Sequence, residues 1–216
     1  MPIRIKICGL TREADLEAAV DAGADAVGLV FYPPSPRFLT PLRARELAGH
    51  VPPFVNTVGL FVNASQELIE EVLEHVALDT LQFHGEESPE DCTRWQRPWI
   101  KAARIAPGLD VSQYAAPFAT AGARALLLDA HVEGYGGKGQ RFDWNLVPQR
   151  LQLPVVLSGG LDTENIVEAI HRVRPAAVDV SSGVESSEGI KDARKIKSFI
   201  AALRQGEAEL PEVCNN

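Results

Sequence analysis

The sequence predicts a single-domain α/β fold, a (β/α)8 barrel of the TIM type, and three observations predict it. Eight short runs of β-branched and aliphatic residues recur along the 216 residues, and eight is the number that closes a parallel barrel of this kind. The stretches between them carry helical periodicity, and alternating strands and helices demand parallel strands with right-handed crossovers. Hydrophobic residues make up 45% of the chain but aromatics only 6%, which suits strands covered on both faces. A doubly wound open sheet satisfies the periodicity equally well; the strand number and even spacing favour the barrel.

The first expected strand, Ile3–Ile7, alternates Ile with Arg4 and Lys6 and runs into Cys8-Gly9. Thr11 is the expected cap of the helix that follows, with Leu16, Ala19 and Val20 on one face and Gly23 as its stop. Ala26–Val30 is the second strand and leads into a proline-rich loop, Tyr32-Pro33-Pro34-Ser35-Pro36-Arg37. Thr57–Phe61 is the third. Asn63 with Gln66 resembles a capping box behind it, and Leu68, Ile69, Val72, Leu73 and Val76 then form an apolar stripe at helical spacing. Thr80–Phe83, Trp99–Ala103 and Ala125–Leu128 are strands four to six. The fifth and sixth helices are weakly signalled, because Pro107, Pro117 and Pro148 interrupt them. Val155–Leu157 precedes a helix marked by Asp162, Ile166, Val167 and Ile170. Ala177–Val180 precedes the last helix, marked by Ile196, Phe199, Ile200 and Leu203. Residues 1–206 are expected to form the barrel, and 207–216, polar and capless, a flexible tail.

The composition narrows the function. A formal net charge of −8 argues against nucleic acid or an anionic membrane as the chain-wide partner. Cys8, Cys92 and Cys214 show neither disulfide nor zinc spacing. The amino terminus lacks the pattern of a signal peptide, and no apolar run approaches the ~20 residues of a membrane span. The expected setting is the cytoplasm, with a phosphorylated small molecule as partner, no metal and no cofactor, and a monomer or homodimer.

Active sites of such barrels lie at the carboxyl ends of the strands. Ser158-Gly159-Gly160 ends strand seven and Ser181-Ser182-Gly183 ends strand eight, the usual phosphate position of the fold. Backbone amides at glycines can converge on an anion there, so Gly159, Gly160, Ser182 and Gly183 are candidate phosphate ligands. Cys8 ends strand one, where a thiolate can act as a base. Lys6, two residues back on the same face, either favours that thiolate or is paired inside the barrel. Asp129 follows the apolar run Leu126-Leu127-Leu128, where desolvation raises a carboxyl pKa and equips it to donate a proton. Arg37 presents a planar fork that matches a carboxylate. His84 either binds substrate or satisfies a barrel hydrogen bond, and Asp179 either contacts sugar hydroxyls or pairs with Lys6. Gly134–Gly139 is a candidate lid.

These residues sit in stretches that resemble the phosphoribosylanthranilate isomerase family of tryptophan biosynthesis. The stretches are Lys6-Ile7-Cys8-Gly9-Leu10-Thr11, Gly28–Phe31 with Ser35-Pro36-Arg37, Leu81-Gln82-Phe83-His84-Gly85 and Leu127-Leu128-Asp129. Further on come Gly136–Gly139 with Phe142-Asp143-Trp144, Ser158-Gly159-Gly160-Leu161 and Val178–Glu185. The chain departs from the family at Lys138, where a small hydroxyl residue is usual. The resemblance implies the Amadori rearrangement of N-(5-phosphoribosyl)anthranilate to 1-(2-carboxyphenylamino)-1-deoxyribulose 5-phosphate without metal or cofactor. It implies Asp129 as general acid, Cys8 as general base, Arg37 on the anthranilate carboxylate and the glycine loops on the phosphate. Indole-glycerol-phosphate synthases and histidine-pathway isomerases would call for a lysine acid or an aspartate pair instead. A non-catalytic phosphate-binding barrel would need neither Cys8 nor Asp129.

Overall fold

The computed structural model describes residues 2–130 and 141–210. Eight parallel strands close into a barrel in chain order: β1 (Arg4–Cys8), β2 (Ala26–Val30), β3 (Asn56–Phe61), β4 (Thr80–Phe83), β5 (Trp99–Ile105), β6 (Leu126–Ala130), β7 (Val155–Leu157) and β8 (Ala177–Val180). Closure comes from β8 pairing with β1, with Lys6 opposite Asp179. Each expected strand overlaps an observed one. The largest shifts are at β5, which continues to Ile105, and β6, which continues to Ala130 and so includes Asp129.

The two-residue period of a strand divides its side chains between two cores. Ile5, Ile7, Val27, Leu29, Leu126 and Leu128 point outward and pack under the helices. Ile100, Ala102, Leu127 and Val156 fill the barrel centre. Near its mouth, Cys8 packs with Val30, Leu60 and Val62. Burying one aliphatic side chain of this kind contributes ~1.5–3 kcal/mol. The pattern therefore holds each strand's register firmly, since a one-residue slip would exchange the two faces.

Around the barrel lie α1 (Glu13–Asp21), α2 (Pro41–Ala48), α3 (Gln66–His75), α4 (Pro89–Thr93), α5 (Val111–Thr120), α6 (Ile166–Val173) and α7 (Ala193–Ala208). Among the described residues, only a 3₁₀ turn, Trp144–Leu146, lies between β6 and β7. Pro117 is accommodated inside α5, which Asp110 caps by accepting from the Gln113 amide. A short antiparallel hairpin, β9 (Glu185–Ser187) and β10 (Ile190–Lys191), precedes α7 and has no counterpart in the expected elements.

Two expected caps differ. Thr11 donates its hydroxyl to the Gly189 carbonyl at the hairpin turn, and Arg12 occupies the N-cap of α1 without a capping bond, its guanidinium donating to Asp15 instead. Asn63 takes a left-handed φ of 47°, and its Oδ1 accepts from the Glu86 amide; Ser65 caps α3 instead. Asp162 accepts from the Glu164 and Asn165 amides, which organises the turn before α6 rather than its first residue. Residues 207 and 208, expected in the tail, are helical. Helix α7 runs to Ala208, and Glu207 pins it to the foot of β1 by accepting from the Ile3 amide and from Arg204. The candidate lid with Lys138, and Cys214, lie outside the described residues. No helix among the described residues is long and apolar enough to cross a membrane.

Candidate active site

Strand alternation places Lys6 and Cys8 of β1, Gln82 and His84 at the end of β4, Asp129 of β6, and Asp179 with Ser181 after β8 on the inner side of the barrel mouth. Cys8 is almost fully buried, and its position depends on a missing side chain opposite. A Cβ at Gly28 on β2 would come within 2.8 Å of the Cys8 sulfur and 3.1 Å of Lys6 Nζ. Sulfur and ammonium therefore share the space above Gly28. The Ser181 hydroxyl donates to the Cys8 carbonyl at 3.0 Å and steadies the strand end.

Lys6 donates to Asp179 Oδ1 at 2.8 Å, with both side chains buried. Asp179 is thus committed to Lys6, the second of its two expected roles. Burial pulls the Lys6 ammonium down, but Asp179 and then Cys8 outweigh that and hold it above its ordinary value. Burial pushes the Cys8 thiol up; Lys6 opposes this, Asp179 reinforces it, and the net direction is up. The resting residue is a thiol at neutral pH, beside a fixed positive charge that favours ionisation when the site needs it.

Asp129 is mostly buried at the rim, 13% exposed. Its Oδ1 accepts from the Ala130 amide at 2.8 Å, and His84 Nε2 lies 3.1 Å from its Oδ2. His84 Nδ1 in turn lies 2.9 Å from Gln82 Nε2. His84 therefore reaches the carboxyl group rather than only a barrel partner. Gly159, at φ 84°, stands behind Asp129: a Cβ there would lie 2.7 Å from the Ala130 nitrogen and 2.8 Å from Asp129 Oδ1. This glycine makes room for the acid.

The other glycines shape a cleft of about 630 Å³, lined by Arg37, Gly160, Leu161, Asp162, Ser182 and Gly183 together with 185–188. The loops after β7 and β8 touch so closely that a Cβ at Gly183 would lie 1.9 Å from the Leu161 oxygen. Arg37 is buried and bidentate to Glu185, Nε to Oε1 at 2.7 Å and Nη2 to Oε2 at 2.6 Å. Lys191 donates to the same Oε1 at 2.7 Å. Burial works against ionised Glu185, yet Arg37 and Lys191 hold its carboxyl below the usual range. Two cations share the Glu185 carboxylate, and Asp162 and Glu188 also line the cleft, so its side chains carry no net positive charge and its anion donors are backbone amides. Gly9, at φ 75°, clears the path of Arg37: a Cβ there would lie 2.3 Å from its Cδ.

The structure thus gathers the expected residues into two adjoining groups, Cys8 with Asp179 and Asp129 with His84, next to the cleft of Arg37, Gly160, Ser182 and Gly183. Sequence reasoning missed Gln82, Glu185 and Lys191. The signal for the last two was present: a Glu and a Lys flanking Gly189 within a polar run after strand eight mark a hairpin. Gln82 sits at an inward position of an apolar strand, where a polar side chain calls for an explanation. Among the described residues no cluster of three or more His, Cys, Asp or Glu is placed to hold a metal ion.

Residues 5–202 match the family described as N-(5'phosphoribosyl)anthranilate (PRA) isomerase. The chain is 55% identical over 210 residues to an N-(5'-phosphoribosyl)anthranilate isomerase of Dechloromonas aromatica, covering 97% of this chain and 100% of the relative. It is similar to a crystal structure of a phosphoribosyl anthranilate isomerase in complex with reduced 1-(o-carboxyphenylamino)-1-deoxyribulose 5-phosphate. That match has a TM-score of 0.82, 42% identity, and coverage of 94% and 99% of the two chains. It is also similar to monomers generated from the dimeric enzyme of Thermotoga maritima, with a TM-score of 0.82, 40% identity, and coverage of 94% and 98%.

Proposed function

The chain belongs to the N-(5'-phosphoribosyl)anthranilate isomerase family, and from that premise we propose how its own residues carry the reaction. The activity is the isomerisation of N-(5'-phosphoribosyl)anthranilate in tryptophan biosynthesis. The phosphate lies in the cleft between Gly160, Ser182 and Gly183, and the anthranilate carboxylate takes the edge of Arg37 turned away from Glu185. Glu185 uses two of the five guanidinium donors and aims the remaining three.

Asp129 gives its proton to the furanose oxygen as the C1–O bond breaks, and the anthranilate nitrogen's lone pair forms the C1=N iminium. Cys8 gives up its thiol proton to solvent as the iminium forms, and the resulting thiolate takes the proton from C2 and becomes a thiol again. The C–H electrons become the C1=C2 bond of an enolamine, which tautomerises to the C2 ketone. Burial disfavours the thiolate, but the iminium next to C2 adds to Lys6 a second positive charge at the moment ionisation is required. Acid and base need be matched only in the substrate complex.

One observation carries the reading: Cys8 and Asp129 both occupy the buried mouth of one barrel, beside a cleft at the loops after β7 and β8. Kinetics of Cys8→Ser and Asp129→Asn with freshly prepared substrate, following its fluorescence, test it. Each is expected to lower kcat by at least ~10²-fold, the typical share of a general acid or base, with the melting temperature kept. Turnover within a few-fold of the parent in either variant would refute that residue's role.

The proposed setting is the cytoplasm. The proposed macromolecular partner is a second copy of this chain. Phe54, held at φ 72° and fully exposed, lies ahead of β3 at the end of the barrel opposite the site. Sedimentation should show a dimer that Phe54→Asp dissociates; a monomeric parent would refute this.

A further inference from the structure

A general acid must hold a proton, yet both oxygens of Asp129 face groups that report on whether it does. Oδ1 accepts from the Ala130 amide. Oδ2 faces His84 Nε2, and a neutral imidazole carries its proton on one nitrogen only. Which nitrogen is settled at the other end of the ring, where Gln82 lies 2.9 Å from Nδ1. Gln82 is fully buried, and its Oε1 has no hydrogen-bond partner among the described residues. An orphaned buried amide oxygen bears the full desolvation cost of that group, which calls for a compensating role.

We propose that Gln82 is a positioning residue that sets the tautomer of His84 and, through it, whether Asp129 holds the proton it delivers. The proposal rests on Asp129 being the acid. The two ends of an amide are nearly isosteric, so Gln82 has two orientations within one cage. With Nε2 toward the ring, Gln82 donates to Nδ1. The imidazole proton is then on Nε2 and donates to Asp129, which is a carboxylate. The structure has Gln82 Nε2 on His84 Nδ1, the amide orientation that belongs to this discharged state. With Oε1 toward the ring, Nδ1–H donates to the amide, Nε2 presents its lone pair, and Asp129 must supply the proton between them. That is the loaded state. It holds one proton more than the discharged state, taken up from solvent after each turnover, and the reaction itself releases that proton to the furanose oxygen.

The surroundings leave this pair as the switching element. Among the described residues, the other ionisable groups that the strands turn inward near the mouth are Lys6 and Cys8 of β1, Asp179 of β8 and Arg104 of β5. Lys6 and Asp179 are paired, and Arg104 stands in register with Asp129. Behind β4, Lys101 donates to the Phe83 and Gly85 carbonyls on either side of His84 and to Glu87. The histidine backbone is thereby held still while its protons move.

The experiment compares the parent with Gln82→Met, Gln82→Glu and Asp129→Asn. Gln82→Met removes both amide ends without changing charge. It should lower kcat on the order of 10–100-fold, as loss of an orienting outer-shell partner does. KM should stay within about twofold, and the pH limb of kcat that reports the acid should move. Gln82→Glu only accepts, which holds Nδ1–H and favours the loaded state; it should move that limb to higher pH and recover activity relative to Gln82→Met. Nitrogen-15 spectra of histidine-labelled protein, with His84 assigned through His84→Asn, should show Nε2–H in the parent and a protonated Nδ1 in Gln82→Glu. Unmoved pH limbs in both Gln82 variants, or one His84 tautomer in parent and Gln82→Glu alike, would overturn the proposal. Near-parent turnover by Asp129→Asn would instead remove Asp129 as the acid, and the relay with it.

Discussion

Replacing Gly183 by Ala probes the anion cleft with the smallest possible change. The added Cβ would lie 1.9 Å from the Leu161 oxygen, 3.0 Å from its carbonyl carbon and 3.2 Å from Asp162 Cα. Carbon and carbonyl oxygen approach only to roughly 3.3 Å in the closest ordinary contacts, so the loops after β7 and β8 must part by about 1.4 Å. The obstacle is backbone and cannot rotate away. Overpacking of this kind costs about 1–3 kcal/mol of stability, and misplacement of about 1 Å at a binding site can cost on the order of 10²-fold in rate. Steady-state kinetics should show kcat/KM reduced by ~30- to 100-fold, with the Ki of inorganic phosphate raised in parallel. Gly122→Ala is the control, since it has φ 97° and no atom within 4 Å of the new Cβ; it carries backbone strain but stands at the far end of the barrel, and should keep parent kinetics. Parent-like phosphate inhibition and kcat/KM in Gly183→Ala would refute the cleft as the phosphate site.

Three further outcomes follow from the same geometry. Lys6 opposes the upward push of burial on Cys8, so Lys6→Met should move the acid limb of kcat/KM to higher pH by roughly one to three units, measured from pH 6 to 10; an unmoved limb would detach Cys8 from Lys6. Glu185→Gln keeps the shape but loses the charge that fixes Arg37, and should raise KM several-fold more than it lowers kcat. An equal fall in kcat and kcat/KM would show instead that the pair acts in the transition state. Lys101→Met leaves Glu87 and three carbonyls without their buried cation, and should destabilise the fold by about 3–5 kcal/mol in urea titration; a loss under ~1 kcal/mol would contradict that accounting.

Strand positions were legible because burial on both faces leaves a plain signal: a run such as Leu126-Leu127-Leu128 has no other comfortable place in water. Cys8, Asp129 and the two glycine loops were legible because a barrel places its chemistry at strand ends, so position along the chain translates into position at the mouth. Caps were less legible. Thr11 is a good capping residue by type, but its hydroxyl is drawn to the Gly189 carbonyl 178 residues away, and nothing local to Thr11 announces that. Asn63 likewise turns toward Glu86, and Ser65 two residues on takes the cap.

The residues that support the site were the hardest to read. Gln82, Glu185 and Lys191 gain their meaning from partners on other strands or across the hairpin, and one-dimensional spacing does not encode an angle or a burial. The choice for Asp179 between sugar and Lys6, and for His84 between substrate and barrel, could be made only once β8 was seen beside β1 and β4 one strand removed from β6.

By itself, then, the sequence determined the alternation of strands and helices, the side of each strand that faces inward, and the strand ends where reactive groups stand. These follow from local periodicity and the burial of apolar surface, both written along the chain. Tertiary structure alone decided which charges are paired, which amide or carboxylate faces which side chain at the mouth, and how closely the two glycine loops approach each other. Those depend on long-range closure of the barrel, where distances of a few ångströms set the strength of every polar contact.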